Sequence, residues 1–407
     1  MTTSSTPTTT PSDPLNALTL DQLRARTSVK WREYAPDVLP LWVAEMDVTL
    51  APGIVEAVSR ALRDGDTGYD HGTRYAEAWA SYAADRWDWH VDPARTMTVP
   101  DVMTGVVYAL GVLTEPGDVV VVSPPVYQPF YQFVPGAGRR TLDAPLTAHG
   151  RLDLGAGGAL DRAFAEARAV GRAAVYLLAN PHNPTGTAHT PDELERLCAL
   201  ADRHGVRVVS DEIHAPLSGR PGVDDVPRFT SVLQVPGGER ALALVSPSKA
   251  WNLAGLRAAL LVAGRDAAAD LARVPEHALD GVNHVGVIAQ TAALETGREW
   301  LDEVLTALDA NRALVAGLLA ERLPQVRYHR DHATYLAWLD CRDLGLGDDP
   351  ARVFLDHGRV AVNPGLTFGA GGAGHVRLNL ATSRAILTEA VERMASVVRG
   401  PGNAGVA

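Results

Sequence analysis

The 407 residues are 46% hydrophobic and 21% charged, which supplies a large core for one very large domain or two. A formal charge of −11 argues against phosphate backbones and anionic membranes as general partners, so neither nucleic acid nor lipid is expected. Cys198 and Cys341 lie far apart without Cys-x-x-Cys spacing; they read as buried free thiols, not as a disulfide or a zinc site.

Met1 to Pro14 are almost entirely Thr, Ser and Pro, without the basic and apolar regions of a signal peptide, and read as a disordered tail. No apolar run approaches the roughly 20 residues needed to span a bilayer, so a cytoplasmic location is expected. Residues 15–50 form a segment expected to join the smaller domain. Short apolar runs then recur at Val119–Val122, Ala174–Leu178, Val206–Val209, Ala241–Val245 and Ala258–Val262. Their lack of polar alternation suits strands buried on both faces. Between the second and third lies Thr190-Pro191-Asp192-Glu193, a capping box with Pro at the first helical position. Leu194, Leu197, Cys198 and Ala201 follow on one face, and Gly205 stops the helix. Repeated strand–helix–strand units imply a doubly wound α/β domain with a mostly parallel sheet over residues 51–284. From 285 to 407 the pattern changes: a long helical stretch at Gly286–Leu323, a strand at Thr334–Leu339, a helix at Ala351–His357 and a strand at Val376–Leu380. This reads as a smaller α/β domain.

Ligands of doubly wound sheets collect beyond the carboxyl ends of the strands. Four runs end there in complementary groups: Ser123-Pro124-Pro125-Val126-Tyr127, Asn180-Pro181-His182-Asn183-Pro184, Ser210-Asp211-Glu212-Ile213-His214 and Ser246-Pro247-Ser248-Lys249. Pyridoxal 5′-phosphate (PLP) chemistry needs such a set. Lys249 supplies the amine for a Schiff base, Asp211 a carboxylate for the pyridine nitrogen, Asn183 a donor to the phenolic oxygen and Tyr127 a ring face. Ser246, Ser248 and Arg257 are candidate phosphate partners, with the backbone N–H groups of Gly105, Val106 and Val107 if a helix starts there.

With these motifs the sequence resembles fold-type I PLP-dependent aminotransferases (class I/II), and within them the cystathionine β-lyase branch of the MalY/PatB type. The resemblance covers nearly the whole chain after the tail. It rests on Lys30-Trp31, the run Leu41 to Asp47, Gly68-Tyr69, Pro125-Val126-Tyr127 and the Asn180 to Gly186 motif, then on Ser210 to His214, Ser246 to Lys249 and Arg377 to Ala381. It implies the fold-type I architecture and a homodimer with shared active sites, in which Tyr69 reaches the neighbouring subunit's phosphate. It also implies that Arg377, with Ala44 and Asn183 beside it, binds the α-carboxylate of an amino-acid substrate. Two positions depart from the branch: Glu45 stands where it has Asp, and Arg257 is commoner in aminotransferases than in its lyases.

Taken singly, Lys249 could be a solvated side chain, Asp211 a helix cap and Tyr127 a core aromatic; their matching neighbours favour the site. His214 reads equally as a neighbour of the phenolic oxygen or as filling a polar corner, and His182 as structural. Gly369, Gly371 and Gly374 have G-x-G-x-x-G spacing but precede a strand, so they read as a loop before Arg377 and not as a dinucleotide turn. The expected activity is carbon–sulfur β-elimination on a sulfur-containing amino acid. The alternatives are transamination and a binding protein that keeps the fold.

Overall fold

The computed structural model describes residues 13–219, 228–275 and 280–400. Residues 1–12 of the expected tail lie outside this range. Asp13 and Pro14 do not belong to a tail: Asp13 pairs with Arg384, and Pro14 is buried in a short turn.

The main sheet has seven strands: β1 (Thr96–Val99), β2 (Val119–Val122), β3 (Arg140–Asp143), β4 (Ala174–Ala179), β5 (Arg207–Asp211), β6 (Leu242–Val245) and β7 (Ala259–Ala263), in the order β1-β7-β6-β5-β4-β2-β3. Pairs β2/β3, β2/β4, β4/β5 and β5/β6 are parallel, while β7 is antiparallel to both β6 and β1. The all-apolar runs are strands because both of their faces are covered. Val120 and Val122 join one core with Val106 and Leu110 of helix α1 (Val102–Leu113), while Val119 and Val121 join another. That second core contains Phe164 of α2 (Ala159–Val170) and Leu194 and Leu197 of α3 (Pro191–His204). Each fully buried valine contributes roughly 1.5–3 kcal/mol by removal from water. Edge strands β1 and β3 carry polar, partly exposed sequences, which is why no apolar run announced them.

Helix α3 forms as its sequence directs. The Thr190 hydroxyl accepts from Glu193 N at 3.2 Å, the Glu193 carboxylate accepts from Thr190 N at 2.9 Å, and Gly205 ends the helix at φ 64°. The stretch expected as one long helix is two, α4 (His284–Thr296) and α5 (Arg298–Arg322), broken at Gly297. The Trp251 indole donates to the Gly297 carbonyl at 2.9 Å, and a Cβ on Gly297 would lie 2.6 Å from the Trp251 Nε1. The tryptophan therefore occupies the space a side chain would need.

A second, antiparallel sheet orders β10-β11-β9-β8, with β8 (Arg327–Tyr328), β9 (Leu336–Asp340), β10 (Asn363–Pro364) and β11 (His375–Asn379). The segment before the main sheet reaches this region. Leu39–Pro40 pairs in parallel with Val360–Ala361, and Asn379 N donates to Leu41 O at 2.9 Å. That contact threads residues 42–47 between the two sheets. Among the described residues, no helix is long and apolar enough to cross a membrane.

Candidate active site

A cavity of about 330 Å³ opens at the carboxyl ends of the parallel strands, and one rim is formed by residues of the smaller sheet. Asp211 ends β5 with neighbouring strands on both sides, opposite Ala179 and Leu244, so its backbone is fixed by the ladder. Its Oδ1 accepts the Ile213 amide at 3.1 Å. Burial pushes the carboxyl up to about 6, against the pull of that amide and of Lys249.

Lys249 lies on a tight turn after β6, where Ser248 N donates to the Ser246 hydroxyl at 3.1 Å and Leu253 N to Ser248 O at 2.8 Å. Its Nζ donates to the Ala44 carbonyl at 3.1 Å. Burial, then the nearby Arg377 guanidinium, lowers the amine to about 8, while Asp211 and Glu45 oppose both. An amine in this range has a sizeable neutral fraction near neutral pH, as a nucleophile or base requires.

Arg377 is buried in β11, with Trp338 and Asn363 as its strand partners. It donates to Asn183 Oδ1 and to the Trp42 carbonyl, both at 2.9 Å, and its guanidinium lies 5.1 Å from the centre of the Phe368 ring. Tyr127 sits with its ring edge-on to Phe130, and burial holds its phenol protonated by raising it to about 12. His214 faces the cavity beside Tyr335; burial, then Lys249 and Arg377, lower it to about 3, so it is neutral. His182 is outside the cavity lining and bonds Thr185 at 3.0 Å, a structural position.

The structure therefore brings Lys249, Asp211, Asn183, Tyr127, His214, Ser248, Arg257, Arg377 and Ala44 to one cavity. Two expectations are corrected. Helix α1 begins at Val102, so Gly105, Val106 and Val107 lie inside it, and Gly105 N is already bonded to Asp101 O at 2.9 Å. The helix-terminal residues on the cavity are instead Val102 and Met103. Gly105 serves packing: a Cβ there would lie 2.1 Å from the Leu244 side chain. Ser246 does not line the cavity, because its hydroxyl sits 2.8 Å from Ala258 O and 2.9 Å from Gln290 Oε1. Tyr69 lies outside the cavity lining and is 87% exposed. As expected of a loop, Gly369, Gly371 and Gly374 all have positive φ, and a Cβ on Gly369 would collide with the Tyr131 hydroxyl.

Residues 41–47 are held by bonds that no pattern within the segment itself announces. Asn379 Nδ2 donates to Val43 O at 2.8 Å and Glu45 O at 2.7 Å, and Asn252 brackets the Met46 backbone at 2.8 and 3.0 Å. Fully buried Lys30 donates to Glu45 O at 3.0 Å and pairs with buried Asp47 at 2.8 Å, and the Trp31 indole donates to Asp47 at 2.9 Å. The segment so clamped presents Ala44 O to Lys249 and, at 2.9 Å, to the Tyr335 hydroxyl. The motifs Lys30-Trp31, Glu45-Met46-Asp47 and Arg377 to Ala381, which contains Asn379, carry the signal in the sequence; nothing there marks Tyr335.

Three polar atoms of the cavity side chains, Trp42 Nε1, His214 Nδ1 and Arg377 Nε, are buried without a protein partner among the described residues. Unmet buried polar groups cost roughly 1–3 kcal/mol each, so the cavity is built for a polar ligand. An amine, a buried carboxylate, a protonated phenol, two guanidinium groups and a helix N-terminus fit a cofactor with an aldehyde, a ring nitrogen and a phosphate.

Known proteins agree with this geometry. A protein of Mycobacterium tuberculosis provisionally named cystathionine β-lyase is 55% identical over 404 residues, covering 94% of this chain and 97% of its own. Cystathionine β-lyase PatB of Bacillus subtilis is 36% identical over 379 residues, covering 90% and 95%. The crystal structure of a Corynebacterium diphtheriae protein, provisionally described as a PLP-dependent β-cystathionase, superposes with a TM-score of 0.86 at 33% identity, covering 95% and 99%. The model of the family described as aminotransferase class I and II matches residues 39–394. The chain belongs to the class I and II aminotransferase family, whose cofactor is pyridoxal 5′-phosphate.

Proposed function

We propose that the protein is a PLP-dependent carbon–sulfur β-lyase that converts a sulfur-containing amino acid into a thiol, pyruvate and ammonia. The observation that carries the reading is Lys249: a partly neutral amine held by Ala44 O in a cavity shared with Asp211 and Arg377. The lyase assignment is supported by the relatives at 55% and 36% identity, both of which carry lyase names.

Lys249 anchors the cofactor, Asp211 partners its ring nitrogen, and Tyr127 and His214 border the ring. Asn183 contributes its amide nitrogen, since its oxygen is taken by Arg377. Ser248, Arg257 and the α1 terminus at Val102 and Met103 hold the phosphate. When bound, PLP supplies an electron sink that stabilises negative charge at the substrate α-carbon, so that a β-thiolate can leave. Arg377 orients the substrate by its carboxylate through a planar, bidentate fork. The freed Lys249 Nζ, steered by Ala44 O, takes the α-proton, and the phenol of Tyr127 stays protonated beside it. The clamp on residues 42–47 fixes Trp42, Val43 and Ala44 in the cavity wall.

The enzyme works in the cytoplasm as a homodimer, which gives the exposed Tyr69 a destination at the neighbouring subunit's phosphate. Sedimentation of the holoenzyme as a monomer would contradict the shared site. The reaction is tested by incubating PLP-loaded protein with cystathionine or an S-substituted cysteine and measuring pyruvate and thiol without any keto acid. Release of both is expected. Turnover only when a keto acid is added would make the protein an aminotransferase, the reading that Arg257 favours.

A further inference from the structure

Asp101 precedes α1 and caps it: Oδ1 accepts from Thr104 N and Oδ2 from the Thr104 hydroxyl, both at 2.9 Å. The same Oδ2 accepts from Arg257 Nη2. Both residues line the cavity beside Val102 and Met103. The guanidinium assigned to the phosphate is thus already paired with an anion, at a helix terminus where an anion is favourable. Burial pushes the Asp101 carboxyl up, but the hydrogen bonds from Arg257 and Thr104 outweigh it and keep the group ionised.

We propose that Asp101 is the exchange partner of the cofactor's phosphate: it holds Arg257 and the α1 terminus in place before loading, and gives up Arg257 when the phosphate arrives. Its two bonds from Thr104 keep the carboxylate on the helix cap throughout. Because Arg257 must leave Asp101 before it meets the phosphate, Asp101 weakens cofactor retention while keeping the empty site formed. Arg257, which is 62% exposed, has the freedom to turn between the two anions. The inference rests on the assignment of Arg257 to the phosphate.

Asp101→Asn separates charge from capping, because Asn caps helices about as well as Asp. We expect apo D101N to bind PLP about tenfold more tightly than the parent by fluorescence titration, with correspondingly slower release. Inorganic phosphate alone should raise the melting temperature of apo D101N more than that of the parent. Arg257→Gln alone should weaken PLP binding, and in that background D101N should gain less than about twofold. If D101N binds PLP no more tightly, or gains equally without Arg257, the exchange is overturned. If R257Q leaves affinity unchanged, the assignment of Arg257 to the phosphate is what fails. Should D101N melt early, Asp101→Ser repeats the measurement with another capping residue.

Discussion

The two ends of the cavity are built by different means. At the cofactor end, Asp211 belongs to a strand and Asn183 and Lys249 follow strands within a few residues, so the ladder of β4, β5 and β6 fixes their backbones. At the carboxylate end, β11 fixes the Arg377 backbone, but the Arg377 guanidinium, Trp42 and Ala44 are positioned by bonds between side chains and distant backbone, such as Tyr335 to Ala44 and Arg377 to Trp42. The first end inherits its precision from the sheet. The second owes it to individual hydrogen bonds, so single substitutions there should misplace substrate without disturbing the cofactor.

The largest expected effect lies at the cofactor end. Lys249→Ala should abolish the visible absorbance of the bound cofactor and lower pyruvate release by about 10⁴-fold or more, since anchor and base are lost together. Retention of either would break the assignment. The same amine gives a pH prediction. Its folded value of about 8 lies below the ordinary 10.5, so the folded apoprotein sheds this proton earlier than the unfolded chain does. PLP capture by the apoprotein should rise with pH around a midpoint near 8. The Lys249 contribution to apoprotein stability should be present above about 10.5 and be lost as pH falls to about 8. A midpoint of capture near 10 would show that burial does not tune the amine.

At the other end, Lys30→Met should be the most damaging to folding. It leaves Asp47 charged, buried and short of a partner, and breaking such a pair costs roughly 3–5 kcal/mol. Thermal melting would reveal it, and Lys30→Met combined with Asp47→Leu should recover much of the loss. Arg377→Lys keeps a cation but loses the fork, and should raise KM by roughly ten- to a hundredfold, about 1.4–2.8 kcal/mol, with the cofactor absorbance unchanged. A changed absorbance would mean that the two ends are not separable.

The same contrast explains what the sequence disclosed. Asn183, Asp211 and Lys249 were legible because each follows an apolar run, and topology requires parallel strands to deliver their carboxyl ends to one edge. Arg377 was named only through the family resemblance; its β11 context says nothing of Asn183. Tyr335 was invisible, since its partner Ala44 is 291 residues away. Helix α1 starts three residues ahead of the expected Gly105 because Asp101 caps it through the Thr104 amide, a cap set directly against the apolar run of α1. Local chemistry shows in a sequence, whereas bonds between remote segments show only once the chain is folded.

The finest test of the contrast is Phe368. Its ring lies under the Arg377 guanidinium and meets Trp338 edge-on at 5.3 Å, and Trp338 stacks on His375 at 5.0 Å. The Phe368 carbonyl also accepts from Val126 N at 2.8 Å, which ties this loop to the segment carrying Tyr127. Phe368→Leu keeps bulk and removes the π face, worth about 1 kcal/mol in a partly desolvated setting, or roughly fivefold in affinity. The expected outcome is a fivefold rise in KM with kcat within twofold, and rescue by Phe368→Tyr. If kcat falls instead and KM holds, Phe368 acts in the transition state and does not merely seat Arg377. In that event the carboxylate end takes part in the chemistry, and the division between an end that reacts and an end that holds does not stand.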